Sequence, residues 1–290
     1  MGSALYASSP AARACFDSAD RALGFALTKL CFEGPLDALT LTKHAQPAIL
    51  TASIAALAAL REARPELPAP AFAAGHSLGE YSALVAAGAL TLEDAVRVVH
   101  LRGQAMQEAV PEGQGAMAAI MGGDDAQVSE LCVEAAQGEV LAPANFNSPG
   151  QIVISGAAGA VARAVALAPG KKLKAIALKV SAPFHSALMA PAARQVAAAL
   201  EKITVGKLAF PVVANVDARP NQDAERVREL LVRQVDGAVR WQESVAFMVE
   251  AGVTEALEIG PGKVLANLVK RIDKRISVTG CFDPATLKVA

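Results

Sequence analysis

The sequence predicts an α/β protein: a largely parallel sheet covered by helices on both faces, interrupted by a small ferredoxin-like insert. Two textures along its 290 residues point to this. Residues 1–111 and 183–290 alternate long amphipathic or buried helical stretches with short apolar runs, as buried parallel strands joined through helices do. Residues 112–182 instead read β-α-β-β-α-β with a tight hairpin at their centre. Hydrophobic residues make up 53% of the chain and aromatics only 4%, a balance suited to Ala-rich helices packed closely on a sheet.

In chain order, "AILTASIAALAAL" (48–60) is apolar over 13 residues, holds Thr and Ser, and stops at Arg61. It is too short for a membrane span and reads as a buried helix. "PAFAA" (70–74) reads as a strand that runs into "GHSLG" (75–79) and a further helix. "TLEDAVRVVHLRGQAMQEA" (91–109) opens on Thr91-x-x-Asp94, a capping-box-like start. In the insert, 115–121 is a strand and 124–137 a helix opened by Asp124 or Asp125. Residues 140–146 and 151–156 pair around the "NSPG" turn (147–150), 157–168 is a second helix, and 173–180 closes with a strand. "PVVANV" (211–216), "EALEIG" (255–260) and "ISVTGCF" (276–282) supply the remaining strands of the large domain.

The bulk chemistry excludes several classes. A net charge of −1 gives no global attraction for nucleic acid or an anionic membrane. Cys15, Cys31, Cys132 and Cys281 are far apart, form no CxxC and join no Cys/His cluster, so they read as reduced thiols, and no metal site is expected. The start lacks a basic region followed by an apolar one, so a cytoplasmic location is expected.

The chemistry concentrates in Gly75-His76-Ser77-Leu78-Gly79. A Gly-x-Ser-x-Gly run between a strand and a helix fits a nucleophile elbow, which holds Ser77 in strained backbone with its hydroxyl beyond the sheet. The Leu78 N–H, at the helix N-terminus, would then face a developing oxyanion. A serine needs a base, and the chain has four histidines. His76 sits beside the nucleophile on the turn and should point elsewhere; His44 and His100 lie in helical or loop contexts. His185 lies where the insert returns the chain to the large domain, and clefts form at such junctions. It is the candidate by elimination.

Arg102 falls on the apolar side of its helix, opposite Glu93, with Val98, Val99, Ala105 and Met106 as its neighbours. A buried guanidinium needs a partner. Periodicity leaves two open: a carboxylate of the protein, or one carried by a substrate and gripped through two parallel hydrogen bonds.

"GHSLGEYSAL" (75–84), "LRGQAMQ" (101–107), "GQGAMAAIMG" (113–122), "NFNSPGQIVISG" (145–156), "SAPFHSALM" (181–189), "LVRQ" (231–234), "VRWQESV" (239–245) and "EIGPGKVL" (258–265) follow one another along the chain. Together they closely resemble the malonyl-CoA:acyl carrier protein transacylases of fatty-acid synthesis, over nearly the whole length. The resemblance implies an α/β-hydrolase-like large domain (1–111 and 183–290) with a ferredoxin-like insert (112–182). It implies transfer of a malonyl group from malonyl-CoA to the phosphopantetheine thiol of acyl carrier protein, through a malonyl-serine, by a monomer without metal or redox cofactor. Ser77 matches the nucleophile, His185 the general base and acid, and Arg102 the arginine that binds the malonyl carboxylate. Gln234 matches a glutamine whose main-chain carbonyl orients the histidine, and Leu78 N–H an oxyanion donor. Phe184 resembles the bulky residue of malonyl-selective members, a weak marker of acyl selectivity.

One departure follows from the same resemblance. Family members begin with a strand ending in a Gly-Gln-Gly-Ser-Gln-type loop that helps form the oxyanion hole, whereas "MGSALYASSPAARACFDSAD" matches what comes after it. The sheet is therefore expected to lack one strand and the site one oxyanion element. That keeps open a non-catalytic acyltransferase-like protein that binds coenzyme A or carrier protein. An α/β-hydrolase esterase would need an acid between Ser77 and His185 and an HGGG loop. Asp94, Asp124 and Glu134 occupy helices, and HGGG is absent. Two basic clusters, Lys171/Lys172/Lys174/Lys179 and Lys263/Lys270/Arg271/Lys274/Arg275, are candidates for meeting phosphates or an acidic partner.

Overall fold

The fold is taken from a computed structural model, which describes residues 1–180 and 182–288. Helices α1 (Pro10–Leu23), α2 (Thr42–Ala63), α3 (Leu78–Ala86) and α4 (Leu92–Glu108) build the first part of the large domain. Their apolar faces meet in one core that includes Phe16, Leu50, Ala56, Tyr81, Val99 and Met106. Small residues along α2, among them Ala52, Ala55, Ala56 and Ala59, are fully or almost fully buried there. No helix is long and apolar enough to cross a membrane among the described residues. Thr91 caps α4 by accepting from Asp94 N, as the opening of that segment predicted.

Strand β1 (Ala73–Ala74) leads into the serine turn. The insert follows, with β2 (Gly115–Met121), α5 (Asp125–Ala136), β3 (Leu141–Ser148), β4 (Gln151–Ala157), α6 (Ala158–Leu167) and β5 (Lys174–Ala177). Its sheet is antiparallel in the order β3-β4-β2-β5, with Ile120 opposite Ile152 at the centre. Both helices cover one face, over Ile120, Leu131, Ile154 and Val161. Asp124 opens α5 with a full capping box to Gln127. Ser148 pairs with Gln151, so only Pro149 and Gly150 make the hairpin turn. The closing strand is shorter than the expected 173–180 and ends its pairing at Ala177 opposite Ala118.

The chain re-enters the large domain through His185 and α7 (Ala190–Leu200), β6 (Val212–Ala214), β7 (Arg219–Asn221), α8 (Ala224–Asp236), α9 (Trp241–Glu250), β8 (Glu255–Ile259), α10 (Val264–Ile272) and β9 (Ser277–Cys281). Parallel pairing holds where it was expected: β1 with β6, and β8 with β9. The strands form two groups rather than one continuous ladder, because β1 and β8 share no backbone pairing among the described residues. Side chains bridge the groups instead, with Ala74 in the same apolar cluster as Ala256 and Val278. Strand β7 is an addition to the sequence reading. It pairs antiparallel with β6 at the sheet edge, where Pro220 is tolerated.

The insert is stitched to the large domain through β3. Val239 N donates to Ala144 O at 2.8 Å, and Phe146 N to Val239 O at 2.9 Å. At the insert's entry, a Cβ on Gly115 would lie 2.4 Å from the Pro183 ring, so the first residue of β2 touches the returning chain two residues before His185. His185 therefore sits, buried, where the insert meets the large domain.

Candidate active site

Ser77 caps α3 with φ 51° and ψ −106°, a strained conformation for a residue with a side chain. The strand and helix it joins approach so closely that a Cβ on Gly75 would lie 2.1 Å from the Gly79 carbonyl. Gly79 faces open space, so the close approach depends on Gly75 alone. Asn215, just past β6, locks the turn: its Oδ1 accepts from Ser77 N at 2.7 Å and its Nδ2 donates to Gly75 O at 2.8 Å. Gly79 N and Glu80 N turn back on His76 O and Ser77 O. Leu78 N–H has no acceptor among the described residues and lies at the start of a helix, where such groups gather positive charge.

His185 meets the nucleophile. Its Nε2 lies 2.7 Å from Ser77 Oγ, while Nδ1 faces the main-chain oxygens of Gln234 at 2.9 Å and Gly237 at 3.2 Å. Both carbonyls can only accept, so Nδ1 carries the ring proton and Nε2 is left to take the serine's. Burial, and then the Arg102 charge, push His185 down to about 3. It is therefore a neutral imidazole at working pH. His76 points away, as expected, with Nε2 2.8 Å from Asn147 Oδ1 of the insert. His44 and His100 stack on each other and bond main-chain carbonyls of Ala38 and Lys43.

Arg102 is only 2% exposed. Its Nη1 donates to Gln46 Oε1 at 2.7 Å, and its Nη2 to Gln234 Oε1 at 2.9 Å and Ser77 Oγ at 3.1 Å. The guanidinium also lies over the Tyr81 ring at 5.6 Å. Among the described residues no carboxylate pairs with it, so the internal ion pair left open by periodicity is absent. The cation is instead cradled by neutral oxygens that an incoming carboxylate could outbid.

Gln234, on α8 and fully buried, contributes more than its carbonyl. Its Nε2 donates to Ser77 O and to Glu80 Oε2, both at 2.8 Å. Glu80 is raised to about 7, chiefly by burial, against the opposing pull of its Gln234 and Asn215 donors and the Arg102 charge. Phe184 is half-buried between the main core and the insert cluster of Met117, Ala144 and Val153. The sequence reading missed Gln46, Glu80 and Asn215. Each was a lone polar residue beside an apolar run, which is the only trace such a group leaves. Of the basic clusters, Lys171 is taken by Glu130 and Glu134, and Arg275 by Asp273 and Glu250.

Residues 1–280 match the model of the acyl transferase domain. The chain belongs to that family. It is 48% identical over 286 residues to the malonyl CoA-acyl carrier protein transacylase of Escherichia coli K12, covering 98% of this chain and 92% of that protein. The enzyme of the same name from Bacillus subtilis is 47% identical, with coverage of 100% and 91%. The crystal structure of the acyl-carrier-protein S-malonyltransferase from Bartonella henselae superposes with a TM-score of 0.96 at 44% identity, over 100% of this chain and 93% of that one. A malonyl-transacylase solved in complex with a type II polyketide-synthase acyl-carrier protein matches with a TM-score of 0.95 at 46% identity, over 99% and 93%. The family's fold, a parallel-sheet α/β domain with its insert, is thus the fold of this chain.

Proposed function

We propose that Ser77, His185 and Arg102 form the site through which this malonyltransferase moves a malonyl group from malonyl-CoA to the phosphopantetheine thiol of acyl carrier protein. A single observation carries the reading: one hydroxyl lies 2.7 Å from a neutral imidazole and 3.1 Å from an acid-free buried guanidinium. The base activates the nucleophile, and the cation defines a cargo that ends in a carboxylate.

In the first half, His185 Nε2 takes the Ser77 proton as Oγ attacks the thioester carbon. The tetrahedral oxyanion develops beside Leu78 N–H. On collapse the C–S bond breaks and the thiolate of coenzyme A leaves, taking the proton from His185. In the second half, His185 removes the proton of the pantetheine thiol, whose sulfur attacks the malonyl ester. Ser77 Oγ departs and recovers that proton. Arg102 exchanges neutral oxygens for the malonyl carboxylate and holds it through both halves, with Phe184 narrowing the space beside the acyl group. An acetyl group would leave the cation without its partner, which biases the site toward malonyl. Proton transfers alone balance both halves, so we assign no resident cofactor. We place the activity in the cytoplasm, consistent with four free thiols.

The esterase reading is disfavoured by the histidine's partners, which are two carbonyls rather than an acid. Incubation with malonyl-CoA followed by peptide mass mapping tests the proposal: one malonyl adduct belongs on the peptide holding Ser77. An unmodified serine, or rapid release of free malonate without acceptor, would exclude it.

A further inference from the structure

Among the described residues Glu80 is the one acid buried inside the site, 2% exposed and one turn beyond Ser77 on α3. It forms no ion pair among the described residues. Its Oε2 accepts twice, from Gln234 Nε2 at 2.8 Å and from Asn215 N at 3.1 Å. Those two residues reach every working group. Gln234 contacts Arg102 through its side-chain oxygen, Ser77 O through its nitrogen and His185 through its main chain. Asn215 holds Ser77 N and Gly75 O.

The amide of Gln234 has two N–H donors and one oxygen, and its surroundings sort them. Ser77 O and the Glu80 carboxylate are acceptors, so both donors face them and the oxygen is left to face Arg102. We infer that Glu80 is a positioning residue that sets malonyl selectivity, by fixing the Gln234 amide so that its oxygen aims the Arg102 guanidinium at the acyl pocket. Its second bond seats Asn215 beneath the strained nucleophile. Without an acceptor at position 80, a fully buried N–H of Gln234 loses its partner. The amide can then rotate toward other acceptors, and Arg102 loses an oxygen that fixes its direction. His185 keeps the main-chain carbonyls of Gln234 and Gly237 on its Nδ1, and Asn215 keeps its own side-chain bonds to Ser77 N and Gly75 O, so the nucleophile and its base are disturbed less. Selectivity should therefore fall further than acylation itself.

This rests on the malonyl-transfer reading above, and the wild-type arm of the experiment tests that reading separately. Single-turnover acylation of Ser77 by malonyl-CoA and by acetyl-CoA is measured for the wild type, Glu80→Met and Glu80→Gln, with thermal melts to confirm folding. Wild type that acquires no malonyl group sinks the transfer reading itself. Given a malonylated wild type, Glu80→Met, similar in size but without an acceptor, should lower malonyl acylation by about tenfold or more and acetyl acylation clearly less. Glu80→Gln can present an oxygen to the same two donors and should keep the malonyl-to-acetyl ratio within about threefold of wild type. A ratio unchanged in folded Glu80→Met overturns the inference, as does a ratio collapsed in folded Glu80→Gln. Should Glu80→Met not fold, the Glu80→Gln ratio alone decides.

Discussion

Arg102 Nη2 donates to Ser77 Oγ across 3.1 Å, so the cation that would hold the far end of the acyl group touches the nucleophile itself. The same nitrogen is held by Gln234, and the other by Gln46. Binding of an acyl unit with a free carboxylate therefore replaces bonds to neutral oxygens with an ion pair and frees the serine for attack.

Arg102→Ala should lower the kcat/KM for malonyl-CoA by about ten- to hundredfold, the range of hydrogen bonds to charged groups, while sparing or raising acetyl transfer. Arg102→Lys should recover little, because an ammonium cannot reproduce the planar two-point grip. Competing malonyl- and acetyl-CoA in one assay, with mass detection of the acyl-serine, reads the preference directly. Equal losses for both thioesters would make Arg102 a structural residue only.

The elbow offers a contrast between two glycines. Gly75→Ala places a Cβ 2.1 Å from the Gly79 carbonyl, a clash that backbone must move to relieve. Gly79→Ala meets nothing within 4 Å, and alanine in a helix is favoured over glycine by up to about 1 kcal/mol. The first variant should lose malonyl labelling of Ser77 and melt at a lower temperature. The second should label normally and melt no lower than the wild type. Labelling retained in folded Gly75→Ala would mean that the turn tolerates a wider approach than the structure has.

What could be read from the sequence follows from how each group is held. The insert was legible because its signals are local: an Asp124 cap, alternating apolar residues and a Pro-Gly turn each act within a few residues. Ser77 was legible for the same reason, and Arg102 because a cation on an apolar helix face is rare. Strand β7 was hidden, being three residues long with a proline at its centre. Glu80, Asn215 and Gln46 were hidden for a different reason. Their meaning lies in partners up to 154 residues away, as between Glu80 and Gln234, and no local pattern records such a distance. Gln234 was half-read: its carbonyl was expected, whereas its side chain turned out to link the arginine to Glu80.

His185 makes the pH behaviour of the site testable. Burial and the neighbouring Arg102 charge lower it from the ordinary 6.5 to about 3, so the imidazole stays neutral, and competent as a base, well into mild acid. His185 should therefore add no inflection near the ordinary histidine value to single-turnover acylation of Ser77, and Glu80, raised to about 7, is the site group that titrates between about pH 8 and pH 5. Stability should respond in the opposite region of the scale. Between about 3 and 6.5 the unfolded chain binds a proton that folded His185 refuses, so this residue's contribution is complete above 6.5 and is lost as the pH falls toward 3. Replacing it by Gln should abolish acylation while flattening the acid side of the stability curve, measured by denaturant melts across pH. An acylation profile that halves near pH 6.5 in both the wild type and Glu80→Gln would show that the imidazole titrates as if exposed, and that Arg102 and burial do not govern it.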